Sequence, residues 1–260
     1  MKTHHVLEGD GQTVTLIHGV GADLDSWDGV VAALGDGYRT LRYDLRGHGA
    51  SEKVPGPYSL DDFVGDLVAL LDGLEIATTH VVGFSLGGLI AQAFALAHPG
   101  RLDRLVLVST VAGRTAEERA RVQVRARQLA DKGAPGHVEA SLSRWFTDGF
   151  LEANRDVVQK RLERSLTNDP HCYAAAYRVL AESDLADRLH EIAAPTLVMT
   201  GEHDIGSTAR MAELIDDRVP GAELHILPGL KHSVLLEAPD MIAGHIGTFL
   251  QNRKRQTPLP

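Results

Sequence analysis

Six short runs of apolar, largely β-branched residues set the terms on which this 260-residue chain can fold: 14–17, 40–43, 80–82, 105–108, 196–199 and 224–227. Each is apolar almost throughout instead of alternating, which is the pattern of a strand covered on both faces. Helical patterns fall between them at 60–74, 86–97, 209–218 and 239–250. Ser59, with Asp62 three residues on, predicts a capped start for the first of these. Strands alternating with helices predict an α/β fold, a mostly parallel central sheet flanked by helices. One stretch departs from the rhythm. Residues 111–190 show helical patterns and no convincing strand, and alternation resumes only at Pro195. Eighty residues exceed an ordinary connection, so a helical cap subdomain over 111–190 is expected, inserted after about residue 110 into a core of 1–110 and 191–260. The plainer alternative is an unusually long helical crossover.

The chemistry concentrates where the run 80–82 meets the helix at 86. Between them stands Gly83-Phe84-Ser85-Leu86-Gly87-Gly88, a G-x-S-x-G motif in the strand–turn–helix setting it requires. A turn this sharp strains the serine backbone and needs neighbours with almost no side chain, which Gly83 and Gly87 supply. Ser85 then stands exposed at the carboxyl end of the sheet. The backbone N–H of Leu86 points at the same space, where it can stabilise an oxyanion. A Gly-rich turn that merely packs helix on strand is the bland reading. A serine nucleophile needs a base, and the base an orienting acid, in the chain order Ser, Asp or Glu, His. The run 196–199 leads to Gly201-Glu202-His203-Asp204, and 224–227 leads to Pro228-Gly229-Leu230-Lys231-His232-Ser233. Asp204 and His232 therefore sit on loops at the same sheet edge as Ser85. Glu202, His203 and Asp184 are less well placed for the acid. Among thirteen histidines, His225 falls in a strand, His245 in a helix, and His4 and His5 at a free end.

With these residues in view, the chain resembles the α/β-hydrolase superfamily over nearly its whole length. The likeness includes His18-Gly19-Val20-Gly21 and then Trp27, Asp44-Leu45-Arg46-Gly47-His48-Gly49 with Ser51, the serine elbow, Gly201-Glu202-His203-Asp204 and His232. It implies a second oxyanion donor in the His-Gly turn, the backbone N–H of Val20, beside that of Leu86. It implies supporting roles for His18, Arg46 and His48 in shaping their loops. Within the superfamily the chain is most similar to 3-oxoadipate enol-lactonases. That likeness rests on Leu41-Arg42-Tyr43-Asp44, Gly56-Pro57-Tyr58, Arg144-Trp145-Phe146-Thr147 and the run from Tyr173 through Asp184-Leu185. It implies a serine hydrolase cleaving an ester or lactone through an acyl-enzyme, with Arg144 and Trp145 as cap contacts to substrate. The serine at position 85 separates the chain from dehalogenases and epoxide hydrolases, whose nucleophile is aspartate. Cofactor-free haloperoxidase-like esterases share the core motifs. Two other readings stay open: a general carboxylesterase or amide-cleaving enzyme for a small apolar substrate, and a non-catalytic ligand receptor.

Charge sharpens the choice. Lys and Arg number 26 against 35 Asp and Glu, a net of −9, which argues against nucleic acid as a partner. Residues 111–190 hold 13 basic and 12 acidic residues, whereas the remaining 180 hold 13 and 23. A near-neutral cap over an acidic body favours an anionic small-molecule substrate. Arg119, Arg121, Arg125, Arg127 and Lys132 gather on one predicted helix, although a solvated helix face is the commoner meaning of such a cluster. The lone Cys172 forms no internal disulfide and no Cys-rich zinc site. His203 with Asp204 is too small a set to hold a metal, so neither metal nor cofactor is expected. No apolar run reaches the roughly 18 residues that span a bilayer, and no signal-peptide core follows the N-terminus. The expected setting is the cytoplasm, with no membrane partner and with the monomer and the homo-oligomer equally open. The tail at 251–260 is expected to be a frayed end.

Overall fold

A computed structural model gives the structure of the chain and describes residues 1–252. The expectation for the tail falls, from residue 253 on, outside the described residues. Seven strands form one sheet: β1 (His5–Glu8), β2 (Thr13–Ile17), β3 (Arg39–Tyr43), β4 (Thr79–Phe84), β5 (Leu102–Val108), β6 (Thr196–Gly201) and β7 (Glu223–Leu227). Their order is β1-β3-β2-β4-β5-β6-β7, and only β1 runs antiparallel to its neighbour. This is the α/β architecture that the apolar runs predict. β2 and β6 are buried at every position, which explains their unbroken apolar character.

Helices alternate with the strands. First come α1 (Asp28–Leu34), α2 (Leu60–Gly73) and α3 (Leu86–Ala97). Between β5 and β6 come α4 (Ala116–Lys132), α5 (Ala134–Glu139), α6 (Leu142–Trp145), α7 (Asp148–Ala153), α8 (Arg155–Leu166) and α9 (Pro170–Glu182). Last come α10 (Ala209–Arg218), α11 (Val234–Glu237) and α12 (Pro239–Gln251). On one face of the sheet, α1 and α12 bring Val30, Ile242, Ile246 and Phe249 against Val14, Leu16, Val82 and Val106. On the other face, α2, α3 and α10 bring Phe63, Leu67, Leu89, Phe94 and Ile215 against Leu41, Val81 and Leu105. The helices between β5 and β6 enclose a small core of their own around Val122, Leu129, Val138, Tyr173 and Tyr177.

Local chemistry sets the helix starts. The Ser59 hydroxyl accepts the Asp62 N–H at 3.2 Å while the Asp62 carboxylate accepts the Ser59 N–H at 2.8 Å, closing the expected capping box of α2. Thr115 and Glu118 close a second box at α4, at 3.2 and 2.7 Å. β1, α1 and α11 are not expected from the sequence. β1 is a half-buried edge strand only four residues long, and α11 is a single four-residue turn. α1 has only seven residues and comes after a 3-10 turn at Leu24–Trp27.

The parallel register carries the carboxyl ends of the strands to one edge. Ile17 lies beside Gly83, Gly83 beside Leu107, and Val108 beside Met199. The loops leaving β2, β4, β6 and β7 therefore rise together.

Candidate active site

β4 ends at Phe84 and α3 begins at Leu86, so Ser85 alone makes the turn. Its φ of +54° lies in the left-handed region, which costs a non-glycine residue roughly 1–3 kcal/mol. The surroundings over-determine it. The Ser85 N–H donates to Val108 O at 2.9 Å, and the Ser85 carbonyl accepts from Gly88 N at 3.0 Å and Thr110 Oγ1 at 2.8 Å. The glycines are a steric requirement. A Cβ on Gly83 would stand 2.2 Å from Gly87 O, one on Gly87 2.1 Å from Ile17 O, and one on Gly88 2.5 Å from Thr110 Cβ. The Ser85 side chain faces a cavity between the sheet edge and helices α4–α9, and among the described residues its hydroxyl has no hydrogen-bond partner.

Asp204 and His232 come together in the same cavity. His232 Nδ1 and Asp204 Oδ2 lie 2.6 Å apart, and Asp204 Oδ1 accepts the N–H groups of Gly206 at 2.8 Å and Ser207 at 2.9 Å. Asp204 is thereby buried with three donors. A carboxylate on Nδ1 fixes the proton there and leaves Nε2 as the acceptor. The Phe84 ring packs on the imidazole at 5.1 Å between centroids. The competing residues are otherwise engaged. Exposed Glu202 accepts the Gly229 N–H at 2.9 Å, His203 is exposed beside it, and Asp184 accepts Gly113 N and Arg114 N at 2.9 and 3.1 Å. His225 and His245 lie against each other, 4.3 Å between centroids.

Two neutral histidines hold the turn after β2. His18 donates from Nδ1 to Gly19 O at 2.7 Å and accepts Leu45 N–H on Nε2 at 3.0 Å. His48 donates to Arg46 O at 2.9 Å and accepts Gly21 N–H on Nε2 at 3.1 Å. Burial lowers their pKa values to about 4 and about 3, so both stay neutral and able to accept. Arg46 is fixed by Asp66 at 2.6 Å. The turn lies close against the elbow, since a Cβ on Gly19 would stand 3.2 Å from Ser85 Cβ. Val20 lines the cavity, and its N–H has no partner among the described residues. Leu86 has a fully buried side chain, and its N–H, first in α3, has no intrahelical acceptor.

Arg144 and Trp145 both line the cavity. The Arg144 guanidinium donates to Ser141 Oγ, and burial pulls its pKa below the ordinary arginine value. The Trp145 carbonyl accepts Ser233 N–H at 2.8 Å, tying α6 to the residue after His232, and its ring lies 4.9 Å beneath Arg161. Of the basic cluster on α4, Arg125 alone reaches the cavity. Arg119 faces Asp184, Arg121 pairs with Glu117, Arg127 is exposed, and the Lys132 side chain lies outside the described residues.

The sequence does not single out Arg114, Arg161 or Tyr177 as cavity residues, although all three line it. One signal for Arg161 was available. Arg161, Ser165 and Asn168 stand at i, i+4 and i+7, and all three donate to Gly21 O, at 2.9, 3.3 and 3.3 Å. Arg164 pairs with Asp23 and Asp25 on the same loop. Among the described residues there is no group of three or more His, Cys, Asp or Glu placed to hold a metal, and no helix long and apolar enough to cross a membrane.

Known proteins resemble this chain in both sequence and structure. The family model for the alpha/beta hydrolase fold matches residues 12–239. A 3-oxoadipate enol-lactonase of Acinetobacter baylyi is 31% identical over 85% of this chain and 82% of its own. An (E)-2-((N-methylformamido)methylene)succinate hydrolase of the same organism is 30% identical over 95% and 94%. The crystal structure of the enol-lactonase from Burkholderia xenovorans superposes with a TM-score of 0.88 at 30% identity, over 95% of this chain and 96% of that one.

Proposed function

Because the chain belongs to the α/β-hydrolase family, we propose that it is a serine hydrolase that opens a carboxylated lactone or cleaves a carboxylated ester, with 3-oxoadipate enol-lactone as the leading candidate. The observation that carries the substrate class is the cavity wall facing Ser85 and His232. Arg114, Arg125, Arg144 and Arg161 line it, against one carboxylate, Asp204, already committed to His232. A cationic cavity in a chain of net charge −9 selects an anion. The hydrolase and lactonase relatives support the same reading.

His232 Nε2 takes the proton of Ser85 Oγ as that oxygen attacks the carbonyl carbon. Asp204 holds the imidazole in the accepting tautomer and stabilises its cation. The N–H groups of Val20 and Leu86 receive the oxyanion, each such donor contributing about 3–4 kcal/mol in known enzymes. His232 then protonates the leaving oxygen. In an enol-lactone that oxygen is an enolate tethered to the acyl group, and its tautomerisation to a ketone makes ring opening irreversible. Water, deprotonated by His232, releases the acid from Ser85. On this reading α4–α9 act as the cap over 111–190 and the remaining chain as the catalytic core. A small molecule is the partner, and neither metal nor cofactor takes part.

Labelling by a fluorophosphonate, lost in Ser85→Ala, tests the nucleophile. Turnover of 3-oxoadipate enol-lactone against a neutral 4-nitrophenyl ester tests the substrate class. Activity surviving in Ser85→Ala removes the mechanism. Faster turnover of the neutral ester returns the enzyme to the general carboxylesterase reading, which the apolar part of the lining (Phe84, Val111, Val122, Leu180, Leu235) otherwise supports.

A further inference from the structure

The cavity holds more positive charge than one carboxylate can answer. Among the described residues, ten arginines outside it have a carboxylate within 4.0 Å, while the four that line it have none. Their hydrogen bonds go to neutral atoms instead. Arg114 donates to Ser183 O at 3.3 Å, Arg125 to Tyr177 Oη at 3.3 Å, Arg144 to Ser141 Oγ, and Arg161 to Gly21 O at 2.9 Å and to Ser165 Oγ. Arg114 has Asp184 as its nearest counter-charge. Arg144 has as its electrostatic neighbour the Asp204 carboxylate, which is already bonded to His232, and among the described residues Arg125 and Arg161 have no carboxylate within 4.0 Å. Holding guanidinium groups at a cavity wall without carboxylates paired to them is unfavourable, so a fold that gathers four around one cavity, where the one lining carboxylate is engaged by His232, is shaped for anions arriving from outside.

Arg125, Arg144 and Arg161 are not equivalent. Arg161 lies by the Gly21 turn, over Trp145, next to the fully buried Tyr173. The Tyr173 hydroxyl has no hydrogen-bond partner, and it stands where a Cβ on Gly21 would be 2.7 Å away. Arg125 is bonded instead to Tyr177, four residues along α9 from Tyr173, with the His137 imidazole set edge-on to both tyrosines at 6.0 and 4.8 Å. Arg144 interacts electrostatically with Arg125, Tyr177, Asp204 and Tyr173. We propose that the cavity takes an acyl substrate bearing two carboxylates, one seated on Arg161 and the Tyr173 hydroxyl, the other on Arg125 and Arg144. The proposal rests on the hydrolase reading above and extends it from one charge to two, which moves the leading candidate from 3-oxoadipate enol-lactone, with its single carboxylate, to an ester or lactone that carries two.

Three 4-nitrophenyl esters grade the charge: the acetate (none), the glutarate monoester (one carboxylate) and a tricarballylate monoester (two). The expected kcat/KM of the wild-type protein rises by about tenfold or more at each step, the scale of a hydrogen bond to a charged group. Arg161→Gln and Arg125→Gln each remove one step. Arg127→Gln, exposed on the same helix as Arg125, keeps both. If the doubly charged ester is no better than the singly charged one while both are turned over, the two-carboxylate inference is overturned and the hydrolase reading stands. Independently of turnover, the dicarboxylate glutarate should raise the melting temperature of Ser85→Ala more than the monocarboxylate butyrate does, and Arg161→Gln or Arg125→Gln added to Ser85→Ala should abolish that order. Absence of that order overturns the inference even if the esters prove not to be substrates, and its presence supports two anion seats even then.

Discussion

Replacing Asp204 by asparagine changes one atom, and the neighbouring hydrogen bonds dictate how the new side chain must sit. Oδ1 of Asp204 receives the N–H groups of Gly206 at 2.8 Å and Ser207 at 2.9 Å. An asparagine must keep its carbonyl oxygen there, because turning the amide NH2 toward two donors leaves both buried N–H groups unpaired, at about 1–3 kcal/mol each. The NH2 group is then forced against His232 Nδ1, which now has to accept. The imidazole proton moves to Nε2, and the Ser85 hydroxyl loses its base. The expected fall in kcat is about 10⁴-fold, the size seen for this change in a serine protease, or about 5.5 kcal/mol of barrier. The fold should be almost untouched, since the two side chains have the same shape. Initial rates on a 4-nitrophenyl ester, with thermal unfolding of the same samples, make the test. An Asp204→Asn protein that is folded and retains more than about a tenth of wild-type kcat refutes the reasoning. A collapse of activity in Asp184→Asn instead would move the acid to that position.

Other parts of the molecule carry expectations of their own. Gly87→Ala puts a Cβ 2.1 Å from the Ile17 carbonyl. The backbone must move, at a cost of about 2 kcal/mol or more, which lowers the melting temperature by roughly 4–8 °C; an unchanged value contradicts the close approach. His18 and His48 stay neutral down to about 4 and about 3, while in the unfolded chain they take up protons near pH 6.5 or so. The unfolded state therefore binds more protons below that pH, and stability falls as pH drops from about 6.5 toward 4, at up to about 1.4 kcal/mol per unit for each histidine; a urea midpoint flat between pH 7 and 5 argues against neutral, buried rings. Added sodium chloride should depress kcat/KM for a carboxylated substrate and leave a neutral ester unaffected, because the arginine-lined cavity draws anions through a screened field; equal salt effects on both count against an electrostatic role.

The elbow and the sheet were legible because their signals are local. Ser85 lies between a strand and a helix that each announce themselves, and Gly83 and Gly87 are demanded by contacts within a few residues of the turn or on the adjacent strand. Asp204 and His232 were reachable because parallel strands carry their following loops to one edge. The arginine wall was not readable in the same way. α8 reads Arg-Asp-Val-Val-Gln-Lys-Arg-Leu-Glu-Arg-Ser-Leu, polar on nearly every side. Whether Arg155, Arg161 or Arg164 turns inward depends on where the helix docks on the loop at Gly21–Asp25, a tertiary fact. The cap charge count pointed to an anion without saying which side chains meet it. β1 escaped notice because its half-buried, mixed sequence at the sheet edge carries little apolar signal.

The unpaired guanidinium groups also bear on timing. Hydrolysis of an ester or lactone creates a carboxylate, so the species that leaves the cavity carries one more negative charge than the one that entered. If the chain carries out the hydrolysis proposed for it, Arg125, Arg144 and Arg161 would hold the product harder than the substrate they captured, and departure would become the slow event of the cycle. Such an enzyme would be throttled by its own product, and a cell would gain from it only where a following reaction removes that acid as fast as it forms.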